Sequence, residues 1–329
     1  MNKVRIIGTG KYLPKRVVLS EEIEERMGIE KGWSLAKSGV AKRHFVEDET
    51  CAYMGARALE QALENANLKY EDLDAIIGAS GSYDYPIPYN SCLIQRELGK
   101  IDSGTPCWDI DSTCLSFVTA LDVVSYLIEA GKYNTVAIVT SEISSKSLNY
   151  KERESATLLG DGAAAVIVRK SKEDEESKII ASDMETYSKG ALLTVVKGGG
   201  NFLHPNDPNS KPEDFTFHME GREILGIAFE KLPNFFEKLF KKAGFPVKDI
   251  DLMIPHQASK VGLEMAKQYL GLSDKQFMVN IETHGNCIAA SIPMALHDAI
   301  EQKRMKRGDK ICLIGTAAGL SIGGLIFIY

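Results

Sequence analysis

No two of the six cysteines, at positions 51, 92, 107, 114, 287 and 312, stand at Cys-x-x-Cys spacing. That excludes a zinc ribbon, and in a chain of 329 residues it implies reduced thiols and a cytoplasmic setting rather than a disulfide framework. The six histidines never fall at His-x-x-x-His spacing, so no metal site is expected. No apolar run reaches the ~18 residues of a membrane-spanning helix. Met1-Asn2-Lys3-Val4-Arg5-Ile6-Ile7 leads into Gly8-Thr9-Gly10 without a small-residue cleavage site, so neither membrane association nor a signal peptide is expected. Gly8-Thr9-Gly10 lacks the third glycine of a dinucleotide loop, and Gly198-Gly199-Gly200 has no following lysine. Positive charge is in deficit: Lys and Arg number 39 against 45 Asp and Glu, a net charge of −6. Nucleic acid, which demands a concentrated basic surface, is thereby disfavoured as a partner.

What is present is ordinary globular composition, 44% hydrophobic and 26% charged, enough for two domains or one duplicated fold. Internal similarity supports the second. Ala66–Ile77 and Ala243–Ile254 both read as a helix end, a turn, Asp-(Leu/Ile)-Asp and an apolar strand, with Asp74 matching Asp251 at an offset of 177. Ser116–Leu121 matches Ser291–Leu296, and Thr135–Val139 matches Lys310–Ile314, both at an offset of 175. The charged run Lys170–Lys178 reads as the solvated seam, giving an N-terminal half over 1–172 and a C-terminal half over 173–329. Within each half, apolar strands alternate with amphipathic helices. Phe117, Leu121, Val124 and Ile128 fall on one helical face, and Thr135–Thr140 reads as a strand buried on both sides. The fold class is α/β with mostly parallel sheets. The irregular segment Gly198–Pro212 reads as a pocket wall or cap.

Three residues carry candidate chemistry. Cys114 follows an apolar strand and precedes an apolar-faced helix, so its thiol is expected at a helix N-terminus that favours the thiolate. His256, in Pro255-His256-Gln257-Ala258, follows the strand Leu252–Ile254, at the strand end where parallel α/β sheets place reactive groups. Asn286, in His284-Gly285-Asn286, lies in the loop that the duplication pairs with the Cys114 elbow. A neutral amide beside a neutral imidazole can hold an oxyanion or enolate. Each residue also has a plainer reading, as a buried cysteine, a hydrogen-bonded loop histidine and a turn asparagine. Gly160-Asp161-Gly162-Ala163 reads as a packing turn.

With Cys114, His256 and Asn286 in that order, the chain resembles the condensing enzymes of the thiolase superfamily, and most of all the β-ketoacyl-acyl carrier protein synthase III type. The likeness spans nearly the whole sequence. It is carried by Asp111-x-x-Cys114, Gly160-Asp161-Gly162-Ala163, Pro255-His256-Gln257-Ala258 and His284-Gly285-Asn286 with Ala289-Ala290-Ser291. It implies a duplicated thiolase-like fold of five layers, αβαβα, in a homodimer that needs no cofactor. It further implies that acyl-CoA loads Cys114, that malonyl-acyl carrier protein is decarboxylated, and that His256 and Asn286 stabilise the resulting enolate. The backbone N–H groups of Cys114 and Ala318 would form the oxyanion hole. Trp33, Lys37, Arg153, Gly221, Leu225 and Ser259 match coenzyme A and pantetheine contacts. Departures are present: Thr113-Cys114-Leu115-Ser116 replaces Ala-Cys-Ala-Gly, Cys287-Ile288 replaces Thr-Ser, and Thr316-Ala317-Ala318-Gly319 replaces a Phe-Gly-rich turn. These point to an acyl substrate that is larger than acetyl or otherwise unusual, and leave open a non-condensing acyltransferase that hands the acyl group to an alcohol or amine.

Overall fold

In the chain, described over residues 1–329 by a computed structural model, apolar strands build two mixed sheets. The first contains β1 (Val4–Tyr12), β2 (Ala75–Gly78), β3 (Cys107–Asp109), β4 (Thr135–Glu142) and β5 (Gly162–Lys170), in the order β1-β5-β4-β2-β3. The second contains β6 (Lys178–Thr186), β7 (Leu252–Pro255), β8 (Lys310–Ala317) and β9 (Ser321–Ile328), in the order β6-β9-β8-β7. In each, one strand (β5 or β9) runs antiparallel to both neighbours, and the inner pair, β4 with β2 or β8 with β7, is parallel. A parallel bridge from Met253 to Phe277 occupies the position that β3 holds beside β2. The sheets are thus two copies of one design.

Why the strands are continuously apolar follows from which cores they serve. Val136 and Ile138 join the central core, while Ala137 and Val139, facing the other way, join an outer one. Likewise Ile311 and Leu313 face the centre, whereas Cys312 and Ile314 face outward. Both faces are dry, as the period-2 geometry of a doubly covered strand requires. The central layer is α2 (Ser116–Glu129) and α5 (Ser291–Glu301); Phe117, Leu121, Val124 and Ile128 of α2 are buried on the face their spacing marked. Nearly all of α5 is buried, because it has a sheet on either side. The outer layers are α1 (Cys51–Ala66) on the first sheet, and α3 (Gly221–Ala243) and α4 (Lys260–Leu270) on the second. This is the five-layered αβαβα arrangement of the duplicated thiolase-like fold.

Gly8 and Gly10 have a packing role. A Cβ on either would run into backbone carbonyls of α1, at Ala62 and Ala58, so the glycines let helix and strand approach closely. Ser171 and Ser177 close the loop between β5 and β6, with the Ser171 hydroxyl donating to the Ser177 carbonyl at 2.6 Å, and most residues between them are exposed.

Candidate active site

Cys114 sits on a single 3₁₀ turn, Thr113–Leu115, at the start of α2. Its counterpart at the start of α5 is the turn Ile288–Ala290. Both begin with a β-branched residue in the left-handed region, Thr113 at φ 51° and Ile288 at φ 48°, a conformation that costs of order 1–3 kcal/mol and persists only where surroundings enforce it. The enforcement is the same in each. Ser116 Oγ donates to the Thr113 carbonyl at 2.7 Å, and Ser291 Oγ donates to the Ile288 carbonyl at 2.8 Å. The elbows face one another across Gly81: a Cβ there would lie 3.3 Å from Ile288 Cγ2 and 3.4 Å from Thr113 Cα.

Asn286 is anchored by its backbone to the Leu158–Gly160 segment; its N–H donates to the Leu158 carbonyl at 2.9 Å and its carbonyl accepts from Gly160 N–H at 3.0 Å. A Cβ on Gly160 would strike the His284 carbonyl, which explains the small residue in that packing turn. Asp161 accepts hydrogen bonds from Val46, Ser144 and Ser145 and serves structure. Asn286 Oδ1 accepts the Ile288 N–H at 2.9 Å. Its amide NH₂ therefore remains as a donor.

His256 is buried, and burial lowers its pKa to about 4, so the imidazole is neutral at neutral pH. Its Nδ1 lies 2.6 Å from Ser291 Oγ. The hydroxyl has one proton and two acceptors within reach. When it donates to the Ile288 carbonyl, Nδ1–H donates to Oγ and the Nε2 lone pair is free to take a proton. When it donates to Nδ1, Nε2 carries the hydrogen and is a donor. Gln257 fixes the loop: its Nε2 donates to the Pro255 and Met278 carbonyls, and its Oε1 accepts from Asn280 and Ile281 N–H groups.

The thiol departs from expectation. Burial pushes the Cys114 pKa up to about 12, the Glu142 charge adds to the rise, and the N–H groups of Cys114 and Ala318 oppose it. The thiolate favoured by a helix N-terminus is not the resting state, because desolvation outweighs those two donors. The same contacts put the Ala318 N–H beside the sulfur. Glu142, the last residue of β4, is itself fully buried and raised to about 8, chiefly by burial. It accepts from Gly81 and Ser82 N–H at 2.6 and 2.9 Å and so holds the turn beneath both elbows.

A cavity of about 560 Å³ opens beside His256, bounded there by Gly315 and Thr316. A Cβ on Gly315 would meet His256 Cβ at 2.8 Å and Leu115 Cδ2 at 3.3 Å, so the imidazole and the Cys114 turn meet at this end. Of the expected contacts, Trp33, Lys37, Gly221, Leu225 and Ser259 line the cavity. Arg153 does not, although Glu154 beside it does; Cys114, Asn286 and Ala318 lie outside the wall proper. Residues 198–212 contribute nothing to the wall; the cap role read from their composition falls instead to Met219 and the start of α3. Trp33 is steadied by the buried carboxylate of Glu24, which accepts the N–H groups of Gly32 and Ser34 at 2.9 and 2.8 Å. Arg222 and Glu142 belong to none of the sequence motifs, and Gln257 and Ser291 enter them without a role of their own. Arg222 follows Gly221 on the first turn of α3, and a cation one residue from an expected contact was the available clue.

A family model described as 3-oxoacyl-[acyl-carrier-protein (ACP)] synthase III matches residues 108–188, and one described as its C-terminal part matches residues 240–329. A β-ketoacyl-[acyl-carrier-protein] synthase III of Clostridium acetobutylicum is 32% identical over 326 residues, covering 99% of this chain and 98% of the relative. The enzyme of that name from Aquifex aeolicus is 33% identical over 325 residues, covering 99% of each. The crystal structure of 3-oxoacyl-[acyl-carrier-protein] synthase III from Aquifex aeolicus superposes with a TM-score of 0.89 at 32% identity, over 99% of this chain and 100% of that one. Xanthomonas campestris OleA, at 22% identity and a TM-score of 0.86 over 99% of this chain and 97% of its own, is alike in fold.

Proposed function

The chain belongs to the 3-oxoacyl-acyl carrier protein synthase III family, and from that membership we propose that Cys114, His256 and Asn286 carry the family's chemistry in this protein. It is a condensing acyltransferase. In loading, Cys114 sulfur attacks the carbonyl of an acyl-CoA, its proton passes to the free Nε2 of His256 and on to the departing CoA thiolate, and an acyl-enzyme thioester remains. In condensation, a malonyl thioester on acyl carrier protein loses CO₂. The resulting enolate oxygen is held by the Asn286 amide and by Nε2–H in the other tautomer of His256. The enolate carbon attacks the acyl carbonyl, whose oxygen is stabilised by the N–H groups of Cys114 and Ala318. Collapse releases the β-ketoacyl product and the Cys114 thiolate, which takes a proton from solvent to restore the resting thiol. No cofactor takes part.

The observation that carries this reading is the pair of facing elbows, one bearing a thiol and the other a free amide donor, with a neutral imidazole beside them. Trp33, Lys37, Gly221, Leu225 and Ser259, with Arg153 outside the cavity, would receive the coenzyme A and pantetheine portions. The halves 1–172 and 173–329 each contribute one elbow. A homodimer is favoured by an exposed apolar patch: Tyr83, Tyr85, Ile87 and Tyr89 are all exposed, Ile87 at 88%. No helix is long and apolar enough to cross a membrane, in keeping with a cytoplasmic enzyme.

The test is intact-protein mass after exposure to acyl-CoAs, followed by malonyl-acyl carrier protein with CO₂ detection. One acyl mass increment, absent in Cys114→Ala, followed by CO₂ release is expected. Acylation with transfer to an alcohol or amine and no CO₂ would instead identify a non-condensing enzyme.

A further inference from the structure

The cavity does not stop at the pantetheine positions. Beyond Leu225 it runs inward between α3 and α4, past Ala228, Phe229 and Leu232 on one side and Leu263 and Ala266 on the other. It is closed by Phe236, Leu270 and Phe277. Every one of these side chains is apolar. The charged wall residues Lys37, Glu154 and Arg222, all exposed, mark the mouth, His256 and Thr316 mark the reactive end, and the other polar wall residues, Ser38, Thr157 and Ser259, are not among those that close the inner end. A pantetheine arm carries two amides, which an apolar blind pocket would leave without hydrogen-bond partners. Hydrocarbon is the chemistry that fits.

Resting on the function proposed above, we propose that the space between α3 and α4 is a binding branch for the alkyl tail of a medium- or long-chain fatty acyl thioester, with Phe236 and Leu270 setting the length it accepts. These two residues are a thin wall. On their far side they line a surface groove together with Pro233, Phe240 and Tyr269. Pro233 lies inside α3 and has no N–H to give to the carbonyl of Phe229 one turn back. The helix is therefore one hydrogen bond short where it forms the branch, and this wall can yield to a longer chain more readily than an unbroken helix.

The experiment measures binding and loading separately. Calorimetry on Cys114→Ala with acetyl-, hexanoyl-, dodecanoyl- and hexadecanoyl-CoA reads the branch without chemistry. Affinity is expected to rise by up to roughly fourfold for each buried methylene and then level off. Ala228→Trp and Ala266→Trp, which plug the branch from opposite helices, should abolish that rise yet leave acetyl-CoA binding within about twofold. Phe236→Ala should move the plateau to a longer chain. Circular dichroism and melting curves identify a misfolded plug, and the other plug and Phe236→Ala then decide. Affinity independent of chain length, or a rise that survives both plugs in folded protein, overturns the proposal. A chain-length dependence removed by the plugs, in a protein whose native Cys114 takes up no acyl group, would uphold the branch and refute the function. Loading of Cys114 without chain-length dependence would do the reverse.

Discussion

Asn286 is a donor because of one hydrogen bond: Ile288 N–H occupies its Oδ1. Asn286→Ala removes the donor and should leave acyl-enzyme formation largely intact while malonyl-dependent product falls by roughly 10²–10³-fold, the usual cost of one oxyanion donor. Asn286→Asp can still accept from Ile288 yet offers no N–H, and should lose condensation to a similar degree; normal condensation in that variant would assign Asn286 to scaffolding. Both are read by acyl-enzyme mass and product formation on the same preparation. Residue identity made Cys114, His256 and Asn286 legible as candidates, since few residue types do such chemistry. Their protonation states were not legible. The strand-to-helix position of Cys114 is plain in the sequence, but the enclosure of its sulfur and the Glu142 carboxyl behind it depend on long-range packing. With a pKa of about 12, the alkylation rate of Cys114 by iodoacetamide should rise about tenfold per pH unit from 7 to 10, because only the thiolate reacts. A plateau near neutrality would mean that the helix terminus outweighs desolvation after all.

At the scale of elements, the duplicated elbows leave little room at Gly81. A methyl group there would lie tight against Ile288 Cγ2 at 3.3 Å and in contact with Thr113 Cα at 3.4 Å, and would push the two elbows apart. Gly81→Ala should therefore cost about 1–3 kcal/mol as a crowded packing change, read by urea titration. It should also reduce loading and condensation together, since both elbows shift; an effect on condensation alone would show that only the Asn286 side moves. The repeat at offsets of 177 and 175 located both elbows, because helix starts and strand periodicity are written locally. Gly198–Pro212 was misread for the converse reason. Glycine and proline content identifies irregular backbone, but which surface that backbone covers is decided by the elements on either side. Glu142 shows the same limit, since nothing in the apolar strand Thr135–Glu142 indicates that its terminal carboxyl is drawn inside to bind Gly81 and Ser82.

Across the whole molecule, the buried titratable groups set how stability follows pH. His256 and His284 both have pKa values lowered to about 4, His256 by burial and His284 by burial and then Lys11. Burial also lowers His44 and His297. An unfolded chain binds these protons near pH 6.5, the ordinary histidine value, whereas the folded protein refuses them. The contribution of His256 and His284 is thus complete above about 6.5 and is lost as pH falls toward 4, at about 1.4 kcal/mol per pH unit for each of the two, and His44 and His297 act in the same direction. Glu142 acts with the opposite sign. Its folded pKa of about 8 lies above the ordinary 4.5, so the folded protein holds a proton that the unfolded chain releases, and stability falls as pH rises between those values. Below 6.5 the two histidines lowered to about 4 outweigh Glu142 and the slope is upward; between 6.5 and 8 Glu142 is joined by His218, raised chiefly by its hydrogen bond to Glu152, and the slope turns down. Urea midpoints measured from pH 4.5 to 8.5 should therefore peak between about pH 6 and 7. In Glu142→Gln, whose side chain stays neutral throughout, the alkaline limb should flatten while the acid limb remains. A profile that declines as steeply from 6.5 to 8 in that variant as in the wild type would remove Glu142 as its cause, and a wild-type profile that holds level down to pH 4.5 would mean that the histidines do not stay neutral in the fold.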